Sequence, residues 1–471
     1  MFTRSPRALT VQSPALPDVA GVVALVPLKL QGVESINTLF EYTLTLHTPD
    51  ALMFKGKMGS DFDLSEMVGR ELTCKVELEG LGSFVAGQRG ESGMPNRGAG
   101  VREISGLITD ARYVGEDDRH ALYQLTLRPW LHLATLSRDC KVFQNQTPVQ
   151  VLESVLADYP FASDKRLIET YPARDYCVQY NESDFEFITR LMQEWGINYH
   201  FEHSGGVHRL IWSDHNGAFQ VPSEGAGAAA YREVPYYPLG HKIDREYIHA
   251  LATTDRLSSG SYASREYDYT RPKANLATGH AAPRPTGQND QEVYAWHGPQ
   301  GSDYSQPNAG TNKEANQTEE QGRHLARLRM QALRQGGLRA NGQGHIRGMV
   351  PGCTFTVREH PKAAANVEYI TLSTRFCIEN VGEDTQRNIG NNANIGNTGN
   401  NTATTFKAMS DAQRLSGQWQ VHTAFELQPT TEALRPELTQ PKPQTLHSDS
   451  RMLLAADTAS RGFDSTFSIA R

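Results

Sequence analysis

The chain has 471 residues, 38% of them hydrophobic, and a mean hydropathy of -0.52. This length predicts two or three domains. The 46 basic residues are outnumbered by 53 acidic ones, and a net charge of -7 argues against a general nucleic-acid binder. No run approaches the ~20 apolar residues of a membrane helix, so we expect no stable membrane insertion.

The amino-terminal stretch and the cysteines favour a protein made in a reducing compartment. Proline and polar residues interrupt the apolar runs between residues 1 and 28, so we predict no cleaved signal peptide. The cysteines are odd in number and form no C-x-x-C pair, as is typical of reduced core residues in a cytoplasmic protein. They are Cys74, Cys140, Cys177, Cys353 and Cys377.

Residues 1–129 are predicted to form a first β-domain. Apolar and polar residues alternate from Phe40 to His47, which predicts a strand with one buried and one solvent-facing side. Several short strands with turns between them are typical of an antiparallel barrel or sandwich. Pro129 cannot donate to a strand ladder and should end the last of them. The further predicted strands are 71–78, 84–87, 104–114 and 123–127, with a Gly-rich loop at 87–100.

Residues 130–222 are predicted to form a middle α/β domain that begins with a helix. Thr147 is a suitable N-cap, and Pro148 fits the first helical position. A second helix begins at the S-x-x-E capping box of Ser183 and Glu186 and ends at Gly196. Glu186 and Arg190 are expected on its solvent side as an i,i+4 ion pair.

A hairpin is predicted directly after this helix. From Ile197 onward the apolar residues recur with a period of two, and residues 204–206 turn the chain into a second strand that reaches Trp212. The alternate positions predict a solvent-facing side. It carries Asn198, His200 and Glu202.

Residues 223–430 return to strand patterns and are predicted to form a second β-domain like the first. Thr318 and Gln321 form a capping box for a helix that runs to about Arg334. The polar, Gly- and Pro-rich segment 273–291 is expected to be a long mobile loop. The Asn/Gly segment 388–402 is expected to be a disordered insertion, and a β-solenoid rung is the alternative. Residues 431–471 are predicted to be a linker and a divergent tail.

The sequence contains no recognised catalytic motif. The chain has no H-E-x-x-H, G-x-S-x-G or phosphate-binding loop. A metal site on the hairpin is conceivable, but histidines on a solvent-facing hairpin side are more often solvated. The histidines in question are His200, His203, His208 and His215. We therefore predict no catalytic residues, no metal ligands and no cofactor.

Two other groups of residues are better explained by structure than by binding. Trp130, Trp195 and Trp212 have apolar neighbours, which favours core packing over a sugar-binding groove. The arginines at 323, 327, 329 and 334 form a basic patch on the predicted third helix. A solvated helix face, or a contact with an acidic neighbour, explains this patch without phosphate binding.

The stretch from Tyr176 to Trp212 resembles the middle of VgrG proteins, the spike of the type VI secretion system. That family shares its core with the baseplate hub of contractile phage tails and the phage late control protein D. The motifs that carry the resemblance are Tyr176-Val178-Gln179-Tyr180, Glu182-Ser183-Asp184, Arg190-Leu191 and Gly196-Ile197-Tyr199-Phe201. Similar family runs lie at 128–131, 143–144, 267–272 and 347–352, so the resemblance covers residues 22–443.

The resemblance implies a fold that is mainly β, with an α+β middle unit and two small antiparallel β-barrels of phage tail hub type. It implies a homotrimer whose six barrels form a quasi-sixfold ring that caps the Hcp hexamer tube. Baseplate proteins are implied partners, and so are a PAAR-type tip and effectors if a needle is supplied. The chain would be cytoplasmic before firing and then secreted without a signal peptide.

Typical family members continue into an oligonucleotide-binding-type barrel and a β-prism needle, whereas the family pattern here stops after residue 443. Truncation of a longer spike is our hypothesis, and a needle on a separate polypeptide is the alternative. An effector- or enzyme-bearing spike variant and a phage-derived tail hub protein also stay open as functions.

Overall fold

A computed structural model describes most of the chain. The described residues are 8–19, 22–49, 61–78, 100–117, 120–219, 230–238, 246–266, 273, 275–296, 318–381, 418–439 and 466–468. The predicted strand at 84–87 and the Asn/Gly segment 388–402 lie outside them. Within them, no helix has the length and apolar character to cross a membrane.

The amino-terminal part contributes a set of six strands, which we call the first barrel. Its pairing order is β1-β6-β7-β8-β5-β4, antiparallel throughout, and β1 also lies against β4. Strand β8 ends at Arg128, directly before Pro129, as predicted. The strands are β1 (Leu9–Gln12), the short ladder β2 (Asp18–Val19) and β3 (Val22–Val23), then β4 (Val26–Ser35), β5 (Glu41–His47), β6 (Glu71–Leu78), β7 (Gly100–Asp117) and β8 (His120–Arg128).

The middle part is the helix-and-hairpin unit that the sequence predicts. Both predicted capping boxes form, at Thr147 with Gln150 and at Ser183 with Glu186. Gly196 ends the second helix with a φ of 69°. The elements are β9 (Asp139–Gln146), α1 (Pro148–Leu156), β10 (Ser163–Arg166), β11 (Arg174–Glu182), α2 (Asp184–Trp195), β12 (Asn198–Ser204) and β13 (Val207–Ser213).

The carboxy-terminal part forms the second barrel. Its pairing order is β15-β19-β22-β21-β20-β14, and a bridge between Tyr236 and Ile248 brings the end of β14 back to β15. The elements are β14 (Glu233–Pro235), β15 (Ile248–Asp255), β16 (Ser261–Glu266), β17 (Leu276–Ala281), β18 (Glu292–Trp296), α3 (Thr318–Gln335), β19 (Leu338–Gly344), β20 (Thr354–Arg358), β21 (Glu368–Val381) and β22 (Gln418–Pro429).

The two barrels share a continuous ladder. The first residues of β21 pair with β20, and residues 373–379 pair with β4 from Ser35 to Lys29. The register of β21 against β22 shifts between Thr371 and Ser373, where β21 changes partner. A bulge at this point bends the strand and lets it leave one barrel wall for the other. We call the β4–β21 ladder the seam.

The segment 273–291 is not the structureless loop that its composition predicts. It contains β17, which pairs antiparallel with β16 and packs on α3. Leu276 and Tyr262 are buried there, so a small apolar face is enough to order a polar segment. The polar composition of the segment did not predict this sheet.

The carboxy-terminal tail adds one more strand. Strand β23 (Thr466–Ser468) pairs antiparallel with β9, opposite Phe143 to Lys141. The chain therefore returns to the middle unit near its last residue. The predicted boundaries of the four units, at 129, 222 and 430, remain predictions.

Candidate functional site at the seam

The hairpin β12–β13 is buried on both sides. Asn198 and His200 are 0% and 2% exposed, and only Glu202 of the predicted solvent-facing positions is half-buried. The prediction of a wet side is wrong because distant parts of the chain cover it. Asn198 donates to the Leu434 carbonyl oxygen, the His200 ring contacts Phe219, and Arg166 donates to Glu202. The alternation of apolar residues correctly predicted the two strands of the hairpin. It did not predict that both sides of the hairpin are buried.

Three of the four candidate histidines are core residues. His203 and His208 face each other across the hairpin, with ring centroids 6.0 Å apart, and both contact the Phe40 ring. His200 contacts Phe219, and His215 is half-buried beyond the end of β13. The expectation that these histidines are solvated is therefore wrong. No three His, Cys, Asp or Glu side chains in the described ranges form a metal-ligand group.

Main-chain donors fix the roles of the two paired histidines. The Ser105 N–H donates to Nδ1 of His203 at 3.0 Å, and the Trp130 N–H donates to Nε2 of His208 at 2.7 Å. An accepting nitrogen must be unprotonated, so the hydrogen bond from Trp130 favours the neutral His208 ring. Burial, with a contribution from the charge of His203, lowers the pKa of His208 to about 3. These side chains join the hairpin to the first barrel.

A buried network of charged groups lies beside His203. The Tyr42 hydroxyl donates to Oε2 of Glu34 at 2.9 Å, and Arg102 lies 3.6 Å from the same oxygen. Oε1 of Glu34 lies 3.4 Å from Nε2 of His203. Burial by itself would raise the pKa of Glu34, but hydrogen bonding to His203 and the charges of His203 and Arg102 lower it. Glu34 is thus held as a carboxylate in the core.

The network continues across the seam into the second barrel. Arg102 donates to the carbonyl oxygen of Arg347 at 3.0 Å, and Arg347 donates to the carbonyl of Glu77 at 2.8 Å. Glu246 accepts from the Arg347 N–H at 2.7 Å and from the Tyr231 hydroxyl at 2.6 Å. Because both arginines bond to main-chain oxygens of the opposite barrel, the two barrels are fixed relative to each other.

Sequence reasoning missed most of this network. Glu34 and Arg102 occupy ordinary strand positions, and nothing in the alternation distinguishes a buried charge from a solvated one. The sequence could have indicated Arg347, because this residue begins the R-G-x-x-P-G turn at 347–352.

The basic patch on α3 contacts acidic and carbonyl groups. Arg329 is 5% exposed and donates to the carbonyls of Gln193 and Glu194 in the last turn of α2, where the helix leaves carbonyls unpaired. Arg327 pairs with Glu169, and Arg334 pairs with Glu432. The predicted contact with acidic neighbours is therefore correct. Arg327 and Arg329 join α3 to the middle unit, and Arg334 joins it to the segment after β22.

One predicted ion pair is replaced by another. Arg190 is 6% exposed and pairs with Glu182, its Nε lying 3.1 Å from Oε2, rather than with Glu186. Glu186 instead accepts from the Ser183 N–H at 2.8 Å in the capping box. The i,i+4 rule failed here because the sheet strand β11 covers this side of α2.

The three tryptophans pack in the core, as predicted. Trp130, Trp195 and Trp212 are 1–3% exposed. Trp130 stacks on Phe161 with centroids 5.2 Å apart, and Trp195 lies beneath Arg174 at 5.2 Å. None of them lines an open groove, so the described structure gives no support for a sugar site.

Comparisons with known proteins agree with this architecture. Residues 33–382 match the family described as phage tail baseplate hub (GPD). The chain is 29% identical over 381 residues to the type VI secretion system spike protein VgrG1c of Pseudomonas aeruginosa, covering 80% of this chain and 45% of that protein. It is 28% identical over 293 residues to the actin cross-linking toxin VgrG1 of Vibrio cholerae, covering 61% of this chain and 24% of that protein.

A solved structure shares the fold. It is an Escherichia coli component of the type VI secretion system, described as structurally similar to the T4 bacteriophage tail proteins gp27 and gp5. The TM-score is 0.53 at 17% identity, over 93% of this chain and 82% of that chain. The chain spans less than half the length of the two curated relatives named above. With the family match over most of its length, this chain belongs to the phage tail baseplate hub family.

Proposed function

We propose that this protein is the hub part of a type VI secretion spike, a homotrimer that caps the Hcp tube and helps to deliver effectors. The observation that carries the proposal is that one chain holds two sets of six paired strands, joined by the β4–β21 ladder, which we take to be the two barrels of a hub. Three copies would supply six barrels around one axis. A threefold assembly could then match a sixfold tube barrel by barrel.

The buried network at the seam suits a part that transmits force. Arg102 and Arg347 each bond across the seam, and Phe376 on β21 lies 5.0 Å beneath the Arg102 guanidinium. Removing one member would leave a buried charge unpaired, which costs several kcal/mol. The two barrels of each copy would therefore move as one body under load.

The tip of the β7–β8 hairpin is the surface that we assign to contact between copies. Tyr113 and Val114 are 41% and 50% exposed near the end of β7, close to the turn. Contacts between subunits bury exposed apolar side chains of this kind. We propose that this tip packs against a neighbouring copy in the trimer.

The role is mechanical, with no bond chemistry, catalytic residue or cofactor assigned to this chain. Baseplate proteins would hold the trimer before firing, and a needle, where supplied, would carry a PAAR-type tip and effectors. The protein would leave the cytoplasm through the apparatus. An effector-bearing variant is the second candidate, since one relative of this chain is an actin cross-linking toxin.

Light scattering of the purified chain, alone and with Hcp, tests the proposal. We expect a particle of three times 52.2 kDa, and its co-elution with Hcp hexamers. A chain that stays monomeric at all concentrations and does not bind Hcp would refute the trimeric hub. A trimer that does not bind Hcp would favour the function of a phage-derived tail hub protein.

A further inference from the structure

Three histidines lie side by side on the second barrel. His249 lies on β15, His345 follows β19, and His422 lies on β22. The centroid of the His249 ring is 5.1 Å from that of His345 and 6.4 Å from that of His422. We call them the histidine triplet.

The strand register explains why the three side chains share one face. Gly344 pairs with Thr423 in the β19–β22 ladder, so the next residues, His345 and His422, lie opposite each other. On the other side of β19, Ile248 pairs with Gly344, and a register shift follows at His249. A bulge re-aims a side chain, and here the His249 ring lies against those of both other histidines.

The ring nitrogens of His249 are unpaired. The residue is 4% exposed, and neither Nδ1 nor Nε2 has a hydrogen-bond partner in the structure. A buried polar ring without partners is costly unless something supplies them. Either nitrogen, when unprotonated, carries a lone pair that can bind a metal ion.

The His345 ring is oriented by a main-chain contact, and the residue is exposed to solvent. Its Nδ1 lies 3.0 Å from the carbonyl oxygen of Val421, to which it can donate, leaving Nε2 as the free lone pair. Such a main-chain contact commonly orients a metal-binding imidazole. His345 is exposed and His422 half-buried, so an ion could enter from this side.

We propose that His249, His345 and His422 bind one borderline divalent transition-metal ion, such as Zn²⁺ or Ni²⁺. Metal–nitrogen bonds of about 2.0–2.1 Å in a three-imidazole site put ring centroids roughly 5 Å apart. The His249 and His345 rings already have this separation, at 5.1 Å, whereas His422, at 6.4 Å from His249, must move closer. The described side chains do not yet meet as ligands, so the rings must turn about their χ angles. The ion would tie together β15, β19 and β22.

Calorimetric titration of the metal-free full chain, prepared without a histidine tag, tests the site. We expect one equivalent of Zn²⁺ to bind per chain at about micromolar Kd or tighter. Each of H345Q, H422Q and H249Q should weaken binding by more than about tenfold, because each removes one of three ligands. H345Q changes an exposed side chain and should therefore fold normally. It tests the site even if the buried H249Q variant fails to fold.

Two matched variants serve as controls. H280Q removes a histidine from β17, and C377S removes the thiol opposite His422 in the β21–β22 ladder. Both should bind the ion as the unchanged chain does. The proposal is overturned if Zn²⁺ binds only above ~100 µM, if H345Q and H422Q bind normally, or if C377S alone abolishes binding.

Discussion

Nε2 of His208 accepts a hydrogen bond from the main-chain N–H of Trp130 at 2.7 Å, although 78 residues separate them. Trp130 follows the last strand of the first barrel, and His208 lies in the hairpin of the middle unit. One neutral imidazole thus connects two parts of the fold. Protonating it would remove the acceptor and place a charge in the core.

The first prediction concerns pH. The pKa of His208 is about 3 in the folded chain, against about 6.5 for an ordinary histidine. Between these values the unfolded chain binds the extra proton, so the free energy of unfolding falls as pH falls through this window. The contribution of His208 is fully present above pH ~6.5, and about 2 kcal/mol of it should be lost at pH 5.

Urea denaturation of the chain and of H208Q at pH 7.5 and 5 measures this contribution. The variant should lose about 2 kcal/mol less stability between the two pH values. H215Q, which alters a half-buried histidine beyond the hairpin, should keep the full pH dependence. An unchanged pH dependence in H208Q would mean that the acid sensitivity originates elsewhere.

The second prediction concerns close packing between β4 and β5 in the first barrel. A Cβ on Gly32 of β4 would lie 2.3 Å from Cδ1 of Tyr42 and 2.4 Å from the Glu41 carbonyl oxygen. Neither the strand nor the fully buried tyrosine ring can withdraw easily. G32A should lower the free energy of unfolding by about 1–3 kcal/mol or more.

Gly287 provides the matched substitution for this test. A Cβ there has no atom within 4 Å, and the backbone is not left-handed. G287A should be neutral or stabilising by about 0.4–1 kcal/mol, because it restricts the unfolded chain. Equal denaturation midpoints for the two variants would show that the packing of β4 on β5 accommodates a methyl group.

The third prediction concerns Trp195. The side chain is 3% exposed and packs between Arg174, Tyr171 and His324. W195A should cost ~3–5 kcal/mol of unfolding free energy, since it leaves a large cavity. L136A, at a side chain 73% exposed, should change stability by less than ~0.5 kcal/mol. A loss below ~1 kcal/mol in W195A would contradict this packing.

Local signals in the sequence predicted the elements well, for identifiable reasons. The capping boxes at Thr147 and Ser183, the glycine at 196 and the alternation from Phe40 each depend on contacts within a few residues. The helices and hairpin strands therefore appeared where expected. Such signals operate before tertiary contacts form and can be read directly from the chain.

Signals that depend on distant partners could not be read in this way. The burial of His200 and Asn198 is decided by elements far away in the chain, and Asn198 donates to the Leu434 carbonyl at 3.0 Å. The histidine triplet likewise depends on a ladder that pairs β19 with β22, about 80 residues later. Without the pairing order, each of these residues looks like an ordinary polar strand position.

The fourth prediction compares a buried and an exposed ion pair. Glu182 and Arg190 are each 7% exposed at their side chains, with Nη2 to Oε1 at 2.5 Å. E182A leaves the arginine charge buried without its partner and should cost ~3–5 kcal/mol. Glu153 pairs with Lys165 with both side chains more than 40% exposed, so E153A should cost under ~1 kcal/mol. Similar losses in chemical denaturation would contradict the burial of Arg190.

The last prediction addresses assembly. V114E places a charge on the exposed tip of the β7–β8 hairpin, the surface assigned to contact between copies. A charge buried without a partner at a subunit contact costs several kcal/mol, so the trimer should dissociate at concentrations at which the unchanged chain stays assembled. V207E alters a valine of similar exposure, 45%, at the turn of the β12–β13 hairpin and should leave the mass unchanged. Light scattering over a concentration series distinguishes the two variants. If V207E dissociates the trimer while V114E does not, the copies meet through the middle unit instead of the first barrel.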